Sequence, residues 1–382
     1  MKLLIAPPQD DETISSIFDR GASLYGISRE CLINELVQLR NGAINNPYKW
    51  DKDIDVNPPV WLIRALANAM TCEEQKIRIL KIPKTTWLIR PNSRNAYCEL
   101  CIRDDLERLG TIYFRREWAF SFVTHCPKHL VPLMLWRAPN PIYGFENRQA
   151  PTVHTLERWG TYKLPRFLSR RLVTFKKMNH DPRAQEFLEM WPRLLQFEQM
   201  LLMWYRNDPN SFDRKTKYIR QLIALVSGNW GMYDSMPVMT WIVPASGSYG
   251  KLLFRTPRRL QPSSQRYSDN WNVFVCTGDP RVRRAAIWIL SQCCLEQRPL
   301  DLNVNCAQRH QYGTINTQSH VAWFAEVLSM LPPTALYYVT KVVANWPQSI
   351  KSMVLEALRE PLNQKRDVIE RECLIRHFTM QL

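Results

Sequence analysis

YCELCIRDDLERLGTIYFRREWAFSFVTHCPKHL, residues 97–130, decides the reading of this chain. It holds three of the ten cysteines and two of the seven histidines. They fall into two pairs, Cys98 with Cys101 and Cys126 with His129, each with two residues between. The pattern is C-x2-C-x24-C-x2-H. A C-x2-C pair puts two sulfurs on one turn, close enough to share an ion, and a second pair completes a tetrahedral shell. Zinc takes four thiolate or imidazole ligands in that geometry. Four protein ligands leave no open position. The spacing therefore predicts one structural Zn2+ per chain, stapling a small module with little core of its own. His125 adjoins Cys126 and is the alternative fourth ligand, and the repeated two-residue spacing favours His129.

The chemistry that catalytic zinc needs is missing. A zinc deaminase carries His-x-Glu ahead of Pro-Cys-x-x-Cys, but here Tyr97 precedes Cys98 and no histidine lies upstream. His-Glu-x-x-His does not occur. Cys293, Cys294, Cys306 and His310 offer donors for a second centre. Adjacent Cys293 and Cys294 on an apolar helix read better as core thiols, and the second site stays open. GSYGK at 247–251 lacks the Lys-Ser/Thr ending of a phosphate-binding loop.

Outward from the cluster the pattern is mainly helical. Between the two pairs, TIYFRREWAFSFVT (111–124) is aromatic and β-branched and reads as a strand or short hairpin. Upstream, DETISSIFDRGASLYG (11–26) spaces Ile14, Ile17, Phe18 and Leu24 as one helix face. ISRECLINELVQL follows, with Ser28 as N-cap and Cys31, Leu32, Leu36 and Leu39 on one face. Two short helices about Gly26 suit a helix-turn-helix or any small bundle. PVWLIRALANAMTCEEQKIRIL (59–80) reads as two more. The expected organisation is a helical, helix-turn-helix-like domain over 1–90, a zinc module over 91–137, a Pro-rich link over 138–165 and a basic helical region over 166–382. Within the last, helices are expected at 183–207, at 213–228 and from Asp279-Pro280 onward, with strand and loop across 234–271.

Charge is uneven. Residues 1–60 carry six Lys and Arg against nine Asp and Glu, whereas residues 161–290 carry 21 against nine. An acidic head on a basic middle points to a polyanion partner, with nucleic acid foremost. Phosphate contacts need Lys or Arg on an exposed face. Three clusters qualify: Arg166, Arg170, Arg171, Lys176 and Lys177; Arg255, Arg258, Arg259 and Arg266; and Arg281, Arg283 and Arg284 near a helix N-terminus. No apolar run approaches the ~18 residues of a membrane span. The N-terminal MKLLIAPPQDDE turns acidic too early for a signal peptide, so a cytoplasmic protein with reduced thiols is expected.

Three stretches together resemble the TniQ/TnsD family of transposition proteins. Asp11-Glu12-Thr13 with Ser16-Ile17 is similar to the family's opening D-E-[ST]-x-x-S-[WFI] helix. Tyr97-Cys98, Cys101, Trp118 and Cys126-Pro127-Lys128-His129 resemble its zinc module, although Glu99 stands where the family often has proline. Asn345-Trp346-Pro347 resembles its C-terminal turn before a helix. The resemblance implies a non-enzymatic target selector. It would work in bacterial cytoplasm, nucleoid-associated when active, and as a homodimer. Its partners would be an RNA-guided CRISPR effector complex (Cascade) or target DNA, and an AAA+ regulator that brings in the transposase. The alternative within the family is direct, sequence-specific DNA reading of the TnsD kind.

Overall fold

A computed structural model of the protein describes residues 4–27, 29–41, 53–135, 173–227 except 176, 247–255, 274–294 except 276, and 333–359 except 349, with 328, 362 and 363 besides. The chain divides into two compact units, residues 1–174 with 278–280, and residues 175–277 with 281–382. The fold is mainly helical, with one small antiparallel pair of strands among the described residues.

The first unit opens with α1 (Ile14–Tyr25). Thr13 caps it by accepting from the Ser16 amide at 3.2 Å, and Gly26 ends it at φ 64°, a conformation that glycine adopts without strain. α2 (Arg29–Asn41), α3 (Val60–Met70) and α4 (Glu74–Ile79) follow. Ile14, Ile17 and Phe18 of α1 pack with Leu32, Ile33 and Leu36 of α2 and Leu62, Ile63 and Leu66 of α3, in a core that, among the described residues, runs from Ile5 to Leu80. Two side chains depart from the expected faces. Leu24 is 67% exposed and Cys31 is exposed, because the buried stripe of α1 runs through Ile14, Ile17 and Phe18 and leaves Leu24 outside it.

The metal module is held between its own ends. β1 (Ala96–Tyr97) pairs with β2 (Met134–Leu135), Ala96 opposite Leu135 and Tyr97 opposite Met134. α5 (Glu99–Leu109) lies inside this closure and ends on Gly110 at φ 65°. The strands thus bracket the module, whereas the expected strand at 111–124 is absent. That segment runs irregularly through a 3-10 turn at Arg116–Ala119. Isolated bridges join it to three places, Arg115 to Glu12, Phe120 to Leu88 and His125 to Pro132. Its apolar side chains are the module's core: Ile112, Phe114, Trp118, Phe120, Phe122 and Val123 are all buried. Trp87 packs edge-on to Phe122 at 5.4 Å, and Phe114 edge-on to Trp118 at 5.6 Å.

Buried ion pairs brace the helical core and the module, and one of them, at Arg94, joins the two. Glu12 is fully buried and accepts from Arg20 Nε and Nη2 at 3.1 and 3.0 Å, from Ser16 Oγ and from the Gln9 amide. Burial nevertheless pushes its carboxyl above the usual range, with Arg20 pulling the other way. Ser15 donates its amide and hydroxyl to Asp55, which with Asp53 also holds Arg94. Arg115 forks onto both oxygens of Asp105, at 3.0 and 2.8 Å, with its guanidinium over the rings of Tyr113 and Trp118. The chain's D-E-T-I-S-S run is therefore a cap and a polar fastener in one.

The regular elements of the second unit are all helical among its described residues. α6 (Gln185–Asn207) carries Pro192 inside it and leads into α7 (Pro209–Lys215) and α8 (Lys217–Ser227). Asp208 caps α7 by accepting from the Ser211 amide at 3.1 Å, and Pro209 takes the first helical position. α9 (Gly247–Leu253) is helical where strand and loop were expected. α10 (Pro280–Cys294) begins at Pro280, as the Asp279-Pro280 pair predicts, and α11 (Pro333–Val342) runs into a 3-10 turn at Val343–Asn345. At the Asn345-Trp346-Pro347 turn, Trp346 Nε1 donates to Gln221 Oε1 of α8 at 2.6 Å, and a helix follows over 350–359. No helix among the described residues is long and apolar enough to cross a membrane.

Candidate metal centre

α5 supplies the first half of the centre. Cys98 is its N-cap residue and Cys101 sits in its first turn, where the helix N-terminus favours negative charge. The backbone amide of Cys101 donates toward Cys98. The second half comes from the Cys126-Pro127-Lys128-His129 turn. There the amides of Lys128 and His129 donate toward Cys126, and Leu130, at φ 54°, returns its amide to the Cys126 carbonyl at 2.8 Å. Two such turns facing each other present their sulfurs to one point.

The four ligand atoms lie within 4.8 Å of one another, and the three cysteines are fully buried. Cys101 Sγ is 3.5 Å from Cys126 Sγ, and His129 Nδ1 is 3.5, 3.3 and 3.7 Å from the sulfurs of Cys98, Cys101 and Cys126. A tetrahedral zinc with its usual bond lengths needs S···S of about 3.8 Å and S···N of about 3.6 Å. The pocket is already that size. His125 is buried but stands outside the group, so of the two candidate imidazoles it is His129 that joins the thiols.

Electrostatics point the same way. Hydrogen bonds from Cys101 and then Cys98 hold the Cys126 thiol far below its ordinary value. Its hydrogen bond to Cys126 pushes Cys101 far up, with Cys98 and burial adding to the effect. Three sulfurs crowded this closely share charge poorly, and a cation among them would let all three ionise. The donor set can hold a metal ion and prefers a soft one.

One partner was missed by sequence reasoning. The other ring nitrogen of His129, Nε2, lies 3.2 Å from Asp104 Oδ2, and Lys128 Nζ also reaches that oxygen, at 2.5 Å. Asp104 lies three residues after Cys101 on α5, so the run 98, 101, 104 was the available signal.

The basic clusters fare unevenly. Lys177 and Arg255 are exposed. Arg281 is half-buried and gives Nη1 to the Lys251 carbonyl at 3.2 Å. Arg283 and Arg284, expected on a solvent face, are instead fully buried in α10. Arg284 Nη1 donates to the Leu253 carbonyl at 2.6 Å, and its guanidinium sits 5.7 Å from the Trp191 ring centre. Neither offers its charge to a phosphate. Arg166, Arg170, Arg171, Lys176, Arg258, Arg259 and Arg266 lie outside the described residues, as do Cys306, His310 and the side chains of Cys293 and Cys294.

A four-helix core and a module whose three cysteines and one histidine could hold a metal ion make up the described part of the first unit. Residues 3–133 match the model of the TniQ family, so this part of the chain is a TniQ domain. No curated protein and no solved structure matches the chain.

Proposed function

We propose that this protein is a non-enzymatic adaptor of transposition. It connects target recognition by an RNA-guided CRISPR effector complex (Cascade) to an AAA+ regulator and, through it, to the transposase. The observation that carries the reading is the TniQ domain over 3–133, built around a closed four-ligand centre. Such a centre holds one structural Zn2+ per chain and offers no position for substrate or water. Cys98, Cys101, Cys126 and His129 are its ligands. The ion supplies rigidity: it ties the N-terminus of α5 to the turn at 126–129. Homodimeric assembly in the cytoplasm, on the nucleoid when active, goes with this reading. So does a division into a helical domain over 1–90, a module over 91–137, a link over 138–165 and a basic region over 166–382.

The basic middle, with 21 cationic against nine acidic residues over 161–290, favours a second reading in which the protein itself touches the target DNA. One experiment separates the two. Purified protein, alone and with a co-expressed effector complex, is used to capture genomic fragments at near-physiological salt. Guide-matched enrichment only with the complex supports the adaptor. Enrichment of one locus by the protein alone overturns it in favour of direct reading. Charge reversal at Lys177 and Arg255, the cluster members exposed among the described residues, should weaken whichever binding is seen and reduce its salt dependence.

A further inference from the structure

We infer that Asp104 is the positioning residue of the metal centre: it fixes the ring of His129 and thereby sets how tightly the ion is held. The inference rests on the reading of Cys98, Cys101, Cys126 and His129 as metal ligands.

An imidazole binds a metal through one nitrogen only if that nitrogen is unprotonated and aimed. His129 presents Nδ1 to three sulfurs at 3.3–3.7 Å. Its proton must then sit on Nε2, and Nε2 lies 3.2 Å from Asp104 Oδ2. A carboxylate there accepts the Nε2 proton, selects the tautomer with Nδ1 free, and makes that nitrogen the better donor. The geometry is built by one helix. Cys98 caps α5, Cys101 lies in its first turn, and Asp104 comes three residues later on the same side. α5 thus delivers two ligands and the carboxylate that orients the fourth. Lys128, the neighbour of His129, reaches the same carboxylate oxygen at 2.5 Å. The turn that carries His129 is therefore tied to α5 twice, by the imidazole and by the lysine.

The neighbouring acids do other work. Asp105 is engaged by Arg115, and Glu107 is exposed on the same helix. Glu107→Gln therefore removes the same charge from α5 without touching His129.

The test uses the full chain. Zinc content is measured first in the wild type; a metal-free, folded wild type overturns the metal reading itself, whatever Asp104 does. Zinc affinity is then measured by competition with a chromophoric chelator in wild type, Asp104→Ala, Asp104→Asn and Glu107→Gln. The visible ligand-field spectrum of the cobalt-substituted proteins is recorded alongside. Asp104→Ala should lose about 10–100-fold in affinity, and its cobalt bands should weaken as His129 disengages. Asp104→Asn keeps a neutral acceptor for Nε2 and should fall between Asp104→Ala and wild type. It also serves as the reporter should the alanine variant fail to fold. Glu107→Gln should match wild type. Affinity and cobalt spectrum unchanged in both Asp104 variants would overturn the positioning role and leave the metal centre standing. An equal loss in Glu107→Gln would overturn it too, because the effect would then be general charge.

Discussion

The amide of Phe114 donates to Ser16 Oγ at 2.8 Å, across 98 residues of chain. The neighbouring amide of Thr13 donates to the Phe114 carbonyl at 2.9 Å. Ser16 also gives its hydroxyl to Glu12, so one small side chain joins the first helix, a buried carboxylate and the core of the metal module. Ser16→Ala leaves the Phe114 amide buried without its acceptor. The expected cost is about 1–3 kcal/mol, measured by denaturant unfolding of the metal-loaded protein. Loss of a few tenths only would mean that the module and the helical core are fastened elsewhere.

Glu12 and Arg20 form a pair with side-chain exposures of 0% and 6%. Removing one charge strands the other inside. Arg20→Met should cost about 3–5 kcal/mol, because Glu12 keeps only Ser16 and the Gln9 amide. Replacing both, Glu12→Gln with Arg20→Met, should recover part of that loss. The double-mutant cycle reads the coupling directly.

Metal removal should unfold the module before the helical core. Chelation or Cys98→Ser is expected to lower thermal stability sharply, whereas Cys31→Ser, at an exposed thiol outside the centre, should leave the transition where it was. The ligands must be deprotonated to bind, so zinc should also be released as pH falls, with protons taken up by the thiols. Metal content by emission spectroscopy against pH checks this, and retention of zinc at strongly acidic pH would contradict it.

Asp208 gives a pH signature in the second unit. The Ser211 hydroxyl and amide, with Lys215, hold its carboxyl below the ordinary value of 3.8. A folded value below the unfolded one means that the capping stabilisation is complete above 3.8 and disappears as pH falls through the folded value. Asp208→Asn keeps an acceptor but cannot titrate, so it should flatten this part of the profile. Thermal unfolding of both proteins between pH 2 and about 5 tests it; parallel curves would assign the cap no role in acid sensitivity.

The metal cluster was legible because its signal is local. Two x2 spacings place sulfur and nitrogen regardless of what surrounds them, and all four residues meet as the pattern requires. The N-terminal helix was legible for a similar reason, since a threonine cap and a glycine stop are short-range chemistry. Several of the failures are long-range. The aromatic run at 111–124 has strand composition because it is buried, but its backbone partners lie in three different places and no single ladder forms. Arg283 and Arg284 count as positive charge in any sequence sum. They vanish from the surface because Val282 and the whole run Ala285–Leu290 around them are buried too, leaving no solvated face for either guanidinium. Ser16 looked like filler between apolar positions, and only its partner 98 residues away gives it a role.

Ala96 and Leu135 face each other across the two-residue ladder that closes the metal module. The chain therefore leaves the module beside the point where it came in. An insertion or deletion in the 24-residue spacer between the two metal-binding turns would bulge or shrink within the module, and Leu135 would still hand on the chain from the same spot. Spacer length is free to drift while the ligand spacings cannot, so in sequences built on this plan the x2 pairs should stay fixed and the distance between them should not.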